Sequence, residues 1–168
     1  ILPVGGGGLS SGMKRYLDQM APEMPIWLVE PTGGASLTAA LAKDELVTLP
    51  KVDSFVDGAA VARIGARTFE VLRDVPPERV LTAPEDRICA TIIEMLNIEG
   101  IVLEPAGALA LDVLPQMADE IRGKTVVCVT SGSRSKSKFP PEVKERAQRY
   151  GGVKKYFILR MPQRPGAL

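Results

Sequence analysis

Ile1-Leu2-Pro3-Val4-Gly5-Gly6-Gly7-Gly8-Leu9-Ser10-Ser11-Gly12 joins a short apolar run to four consecutive glycines, and then to a helical pattern. Leu9, Met13, Tyr16, Leu17 and Met20 recur at the spacing of one helix face. The stretch therefore reads as strand, glycine loop, helix. Glycines let the backbone approach an anion closely and turn its N–H groups inward. The helix behind them adds the partial positive charge of its N-terminus. A phosphate suits such a loop. No Lys-Ser/Thr follows at nucleotide-binding spacing, and the run is not G-x-G-x-x-G, so a phosphate carried by a cofactor is expected over a nucleoside triphosphate or dinucleotide.

Outward from this loop, β-branched runs alternate with helical patterns. Strands are expected at Ile1–Val4, Pro25–Glu30, Arg79–Thr82, Ile101–Leu103 and Thr125–Thr130, the last the strongest, with a final one at Lys155–Met161. Helices are expected over Leu37–Ala42, around Ile64, Thr68, Val71 and Leu72, after Ala83-Pro84-Glu85-Asp86 with the stripe Ile88, Ile92, Leu96, over Gly107–Met117 and over Pro141–Tyr150. Phe55–Val61 reads as irregular. The alternation implies an α/β fold with a parallel sheet covered by helices.

Composition excludes several classes. Hydrophobic residues make up 45% of the 168 and charged residues 24%, ordinary for one globular domain. No window approaches the roughly 18 apolar residues of a membrane span. With no histidine, a His-based triad or His-ligated zinc site is impossible. Cys89 and Cys128 lie in apolar runs and read as buried thiols, pointing to a reducing, cytoplasmic setting. The net charge of +1 hides an asymmetry: residues 1–120 hold 9 Lys+Arg against 18 Asp+Glu, and residues 121–168 hold 12 against 2. A basic tail suits an acidic partner, nucleic acid or a solvated face. Arg134, Lys136 and Lys138 have no interleaved aromatics for base stacking, so a solvated face is expected.

In parallel α/β sheets, ligands bind beyond the carboxyl ends of the strands. Ser131 follows the fifth expected strand, where a hydroxyl can meet a heteroaromatic ring nitrogen or simply cap a helix. Glu104 ends the fourth, as a site carboxylate or the acid of a helix start. Glu30 ends the second and reads as a solvated acid, while Asp57-Gly58 reads as a turn that could line a site.

Taken in order, PVGGGGL (Pro3–Leu9), VEPTGGASL (Val29–Leu37), FVDGAAVARIG (Phe55–Gly65), EGIVLEPAGALAL (Glu99–Leu111) and VVCVTSG (Val126–Gly132) resemble the threonine dehydratase (threonine ammonia-lyase) family. These are pyridoxal-phosphate enzymes of the tryptophan-synthase-β-like fold (fold type II). The closing Tyr156–Leu168 resembles that family's linker into an ACT-like regulatory domain. The resemblance implies that residues 1–152 are the C-terminal part of a catalytic domain truncated at both ends, with 153–168 opening the regulatory domain. It implies deamination of L-threonine, and of L-serine, to a 2-oxo acid and ammonia by a homo-oligomer, dimer or tetramer, with neither membrane nor nucleic acid as partner. The amides of Gly5, Gly6, Gly7, Gly8 and Leu9 would hold the cofactor phosphate, Ser131 would meet the ring nitrogen, and Glu104 would lie beside the ring. Glu30 matches an acid that opens a divalent-cation site in related racemases. Ser36 stands where a second acid would be needed, so no metal is expected. The family's Schiff-base lysine precedes the glycine loop, and Lys14 and Lys43 do not match its context, so no catalytic residue is assigned and this chain alone is expected to be inactive. The family usually continues differently after Ser131-Gly132 from the Ser133-Arg134-Ser135-Lys136 found here. A serine racemase or hydroxyaspartate dehydratase of the same fold, or a non-catalytic remnant with a basic tail, are the rival readings.

Overall fold

A computed structural model of the chain describes residues 1–132 and 141–157. Three parallel strands form the sheet in sequence order: β1 (Leu2–Pro3), β2 (Leu28–Pro31) and β3 (Val80–Ala83). Leu2 pairs with Leu28 and Leu28 with Val80, so the register is continuous across all three. Helices α1 (Gly8–Met20), α2 (Ser36–Lys43) and α3 (Ala66–Leu72) lie between these strands in the chain. After β3 come α4 (Glu85–Glu94), α5 (Pro105–Asp112), α6 (Ala118–Ile121) and α7 (Pro141–Tyr150).

The two-residue period of a strand sends alternate side chains to opposite faces. Leu2, Val4, Leu28 and Val80 enter one core with Leu37 and Ala40 of α2 and Phe69 and Leu72 of α3. Val29, Leu81 and Ala83 enter the other, with Ile88 and Ile92 of α4, Leu109 of α5 and Val143 of α7. Both faces are covered, as a parallel sheet requires. Each fully buried Leu or Ile contributes about 1.5–3 kcal/mol of transfer free energy. Cys89 is in the second core, where burial pushes its thiol up to about 12. Between α4 and α5, Asp112 accepts from Arg87 Nε at 2.8 Å and from Thr91 Oγ1 at 2.8 Å.

Two expected strands do not form. Thr125–Thr130 runs alongside β1 but makes almost no ladder. Ile1 N donates to Val127 O at 2.7 Å and Val129 N to Ile1 O at 3.1 Å; the next donor in that register would be Pro3, which has no N–H. Ile101–Leu103 fails because Met95–Glu99 adds a π-helical turn to α4, and its end consumes the backbone. Gly100, at φ 67°, donates to Leu96 O, and Ile101 N closes onto Met95 O at 3.1 Å. The helix expected from Gly107 begins at Pro105, ends at Asp112, and is followed by a 3₁₀ turn over Leu114–Met117. Of the final strand, Lys155–Phe157 has no regular structure. Its remainder, and the Arg134–Lys138 run, lie outside the described residues.

Candidate functional site

Beyond the carboxyl ends of the strands lies a cavity of about 250 Å³. Gly5, Gly6, Gly7, Gly8, Leu9, Glu104 and Ser131 all line it, together with Pro3, Ser10, Gly58, Ala59 and Ala106. Every residue that the family resemblance puts near a cofactor thus lines one space.

The glycine loop is held by its carbonyls. Thr68 Oγ1 donates to Gly6 O at 2.7 Å, Gly65 N approaches the same oxygen at 3.4 Å, and Ser11 N donates to Gly7 O at 2.9 Å as the first bond of α1. Ser10 Oγ turns back to Pro3 O at 2.9 Å. Among the described residues, no acceptor takes the N–H groups of Gly5–Leu9. Gly7 has φ 82°, a conformation that favours glycine, and a Cβ there would strike Thr68. A Cβ on Gly5 would lie 2.9 Å from Ala59 Cα, whereas Gly6 and Gly8 look onto open space. The row of free donors at a helix N-terminus is suited to an anion.

On the opposite wall, Ser131 Oγ donates to Glu104 Oε1 at 2.7 Å, and Glu104 N donates to Ser131 O at 3.3 Å. Two glycines permit this approach. A Cβ on Gly107 would overlap the Ser131 backbone, and one on Gly132 would overlap Glu104 N. Glu104 is the N-cap residue of α5, but its side chain makes no capping bond and turns to Ser131 instead.

Glu30 does not belong to the cavity, and it is not the solvated acid expected from the sequence. It is fully buried; Oε1 accepts from Leu37 N at 2.7 Å, and Oε2 accepts from Thr38 N at 2.8 Å and Thr38 Oγ1 at 2.7 Å. Both oxygens are committed to the first turn of α2, and burial holds the carboxyl above its ordinary range. Ser36 Oγ is buried beside it without a partner among the described residues. No group of three acidic or cysteine side chains among the described residues is placed to hold a metal ion. Asp57-Gly58 is the expected turn: Asp57 Oδ1 accepts from Gly58 N at 2.8 Å, and Ala59 N donates to Val56 O at 2.9 Å. Thr68 escaped the sequence reading, because a threonine at helical spacing looks like any other helix residue until the fold sets it against Gly6.

Residues 1–132 match the family of pyridoxal-phosphate dependent enzymes. The chain belongs to that family. Within it, the chain is similar to the biosynthetic L-threonine dehydratase IlvA of Staphylococcus saprophyticus, at 46% identity over 166 residues, 98% of this chain and 39% of that protein. The Bacillus subtilis counterpart is 45% identical over 165 residues, again 39% of its length. The chain therefore spans about two-fifths of the curated relatives it matches. Among solved structures, the processed threonine deaminase isoform 2 of Solanum lycopersicum superposes with a TM-score of 0.77 at 33% identity, over 87% of this chain and 43% of that one. A second solved threonine deaminase, of bacterial source abbreviated T.th., gives 0.72 at 25% identity, over 82% and 50%. The parallel α/β fold expected for the family is the one observed.

Proposed function

We propose that this chain forms the cofactor-phosphate cradle and ring-nitrogen contact of an enzyme that deaminates L-threonine to 2-oxobutanoate and ammonia, with L-serine as a second substrate. The observation that carries the reading is the row of N–H groups at Gly5–Leu9, free of any acceptor among the described residues and facing the same cavity as Ser131. Pyridoxal 5′-phosphate, when bound, supplies the electron sink that lets an amino acid lose its α-proton and then its β-hydroxyl.

The chain's own part is binding and tuning. The Gly5–Leu9 amides and the N-terminus of α1 hold a phosphate dianion with fixed dipoles, so no lysine or arginine is needed in the loop. Thr68 keeps the Gly6 carbonyl turned away from that anion. Ser131 offers a neutral hydroxyl instead of an acid to the ring nitrogen, which leaves the ring unprotonated and favours elimination over transamination. To donate there, the hydroxyl rotates off Glu104, whose carboxylate stays beside the ring.

Residues 1–152 are read as part of the catalytic domain and 153–168 as the link to a regulatory domain, in a cytoplasmic homo-oligomer. No helix among the described residues is long and apolar enough to cross a membrane. Titration of the chain with pyridoxine 5′-phosphate, which lacks the aldehyde and so needs no lysine, tests the cradle. It should bind at least about tenfold more tightly than pyridoxine, the margin expected when several charge-assisted hydrogen bonds are lost with the phosphate. Equal affinities overturn the reading. Ser131→Ala should weaken the same ligand by about tenfold, one buried hydrogen bond's worth.

A further inference from the structure

The segment Phe55–Ala59 forms one wall of the cavity, yet it belongs to no helix or strand. Val56 O accepts from Ala59 N at 2.9 Å and Ala60 N at 2.7 Å, and the resulting turn presses Ala59 against Gly5. What holds the turn from behind is α7. The Arg146 guanidinium lies over the Phe55 ring, 4.4 Å from its centroid. One terminal nitrogen of Arg146 is 3.7 Å from Asp53 Oδ2 and 3.3 Å from Asp86 Oδ1, while Nε donates to Glu142 Oε1 at 2.9 Å. Asp53 completes the brace: Oδ1 accepts from Phe55 N at 2.9 Å, and its own N–H donates to Gly33 O at 3.0 Å. The Arg146 side chain is only 21% exposed, so the stack and the ion pairs are partly withdrawn from solvent.

We propose that Arg146 is a positioning residue for the carboxyl-end cavity, clamping the Phe55 turn so that Gly58 and Ala59 stand at a fixed distance from the glycine loop. It touches neither the loop nor Ser131; it acts through Phe55 and Asp53. Arginine suits this task because one planar cation can stack on a ring and still meet several carboxylates, which a lysine ammonium cannot do. The consequence for ligand binding rests on the cofactor reading above, whereas the clamp itself does not.

Amide hydrogen exchange on the whole chain, paired with pyridoxine 5′-phosphate titration, separates the two. Arg146→Ala should speed exchange at Ala59 and Ala60 by about tenfold and weaken pyridoxine 5′-phosphate about threefold to tenfold, the scale of one lost cation–π and ion-pair set. Arg146→Lys, keeping charge without the stack, should recover only part of both. Phe55→Leu, keeping apolar bulk without the ring, should reproduce the loss while leaving the carboxylate partners of Arg146 in place. It decides the matter if Arg146→Ala loosens α7 as a whole. Lys154→Ala, which removes only an exposed pair with Glu145, should change neither readout. Unchanged exchange at Ala59 and Ala60 in folded Phe55→Leu and Arg146→Ala overturns the clamp. Faster exchange with unchanged ligand affinity overturns the positioning role. If the wild type binds no pyridoxine 5′-phosphate while exchange still responds, the cofactor reading fails and the clamp stands.

Discussion

At the amino ends of the strands the molecule has a cavity of about 700 Å³, lined by residues such as Leu2, Met13, Leu17, Trp27 and Ile121. At the carboxyl ends it has one of about 250 Å³, walled by the glycine loop, Glu104 and Ser131. The larger space is the poorer candidate for a polar ligand. Its walls are mostly aliphatic and aromatic, with Glu78, Arg79, Glu120 and Lys124 also along the lining. The smaller one receives the N-terminus of α1, because α1 leaves β1 at its carboxyl end; the amino-end cavity meets the middle of that helix, at Met13 and Leu17. Helix polarity in a β-α unit thus gives the two ends different electrostatics whatever the cavity sizes.

The comparison breaks first at Gly107. Alanine is ordinarily the better helix residue by about 1 kcal/mol. Here its methyl would overlap the Ser131 backbone, and overpacking against main chain outweighs propensity. Gly107→Ala should destabilise the chain by about 3 kcal/mol in urea unfolding and remove most pyridoxine 5′-phosphate affinity. A neutral or stabilising result would mean that Ser131 does not sit where described.

Trp27→Ala sharpens the other side. It enlarges the amino-end cavity and should cost about 2 kcal/mol, less than a fully buried tryptophan because the side chain is only part-buried. Ligand affinity of the folded fraction should stay within about twofold, since additivity holds for separated sites. A large fall in affinity would couple the two cavities.

Glu30 gives the smallest effect and a pH signature. Burial raises its folded pKa, so the folded state holds the proton where the unfolded chain has already lost it. Stability from this group is therefore greatest at low pH, falls as pH rises from the ordinary carboxyl range through the raised value, and is flat beyond. Glu30→Gln should cost about 1 kcal/mol, because the amide NH₂ faces donors it cannot accept from. That cost should shrink with rising pH in chemical denaturation at about pH 4 to 8. A cost independent of pH would show that Glu30 titrates alike in both states.

Local pattern determined the glycine loop, the helices around it and the parallel α/β class, because a strand–glycine–helix junction and 3.6-residue spacing depend on neighbours in the chain. It also marked Gly5–Leu9, Glu104 and Ser131 as strand-end residues. Tertiary structure decided the rest. Thr125–Thr130 has strand composition but lies opposite Pro3, whose missing N–H stops the ladder. Ile101 spends its amide closing a helix end. Glu30 looks like a surface acid in sequence and becomes a buried cap because α2 folds back onto it. Thr68 and Arg146 reach the site from elements 62 and 91 residues away from Gly6 and Phe55. Long-range partners of this kind are set by packing two cores onto one sheet, and no local window of sequence contains both members of the pair.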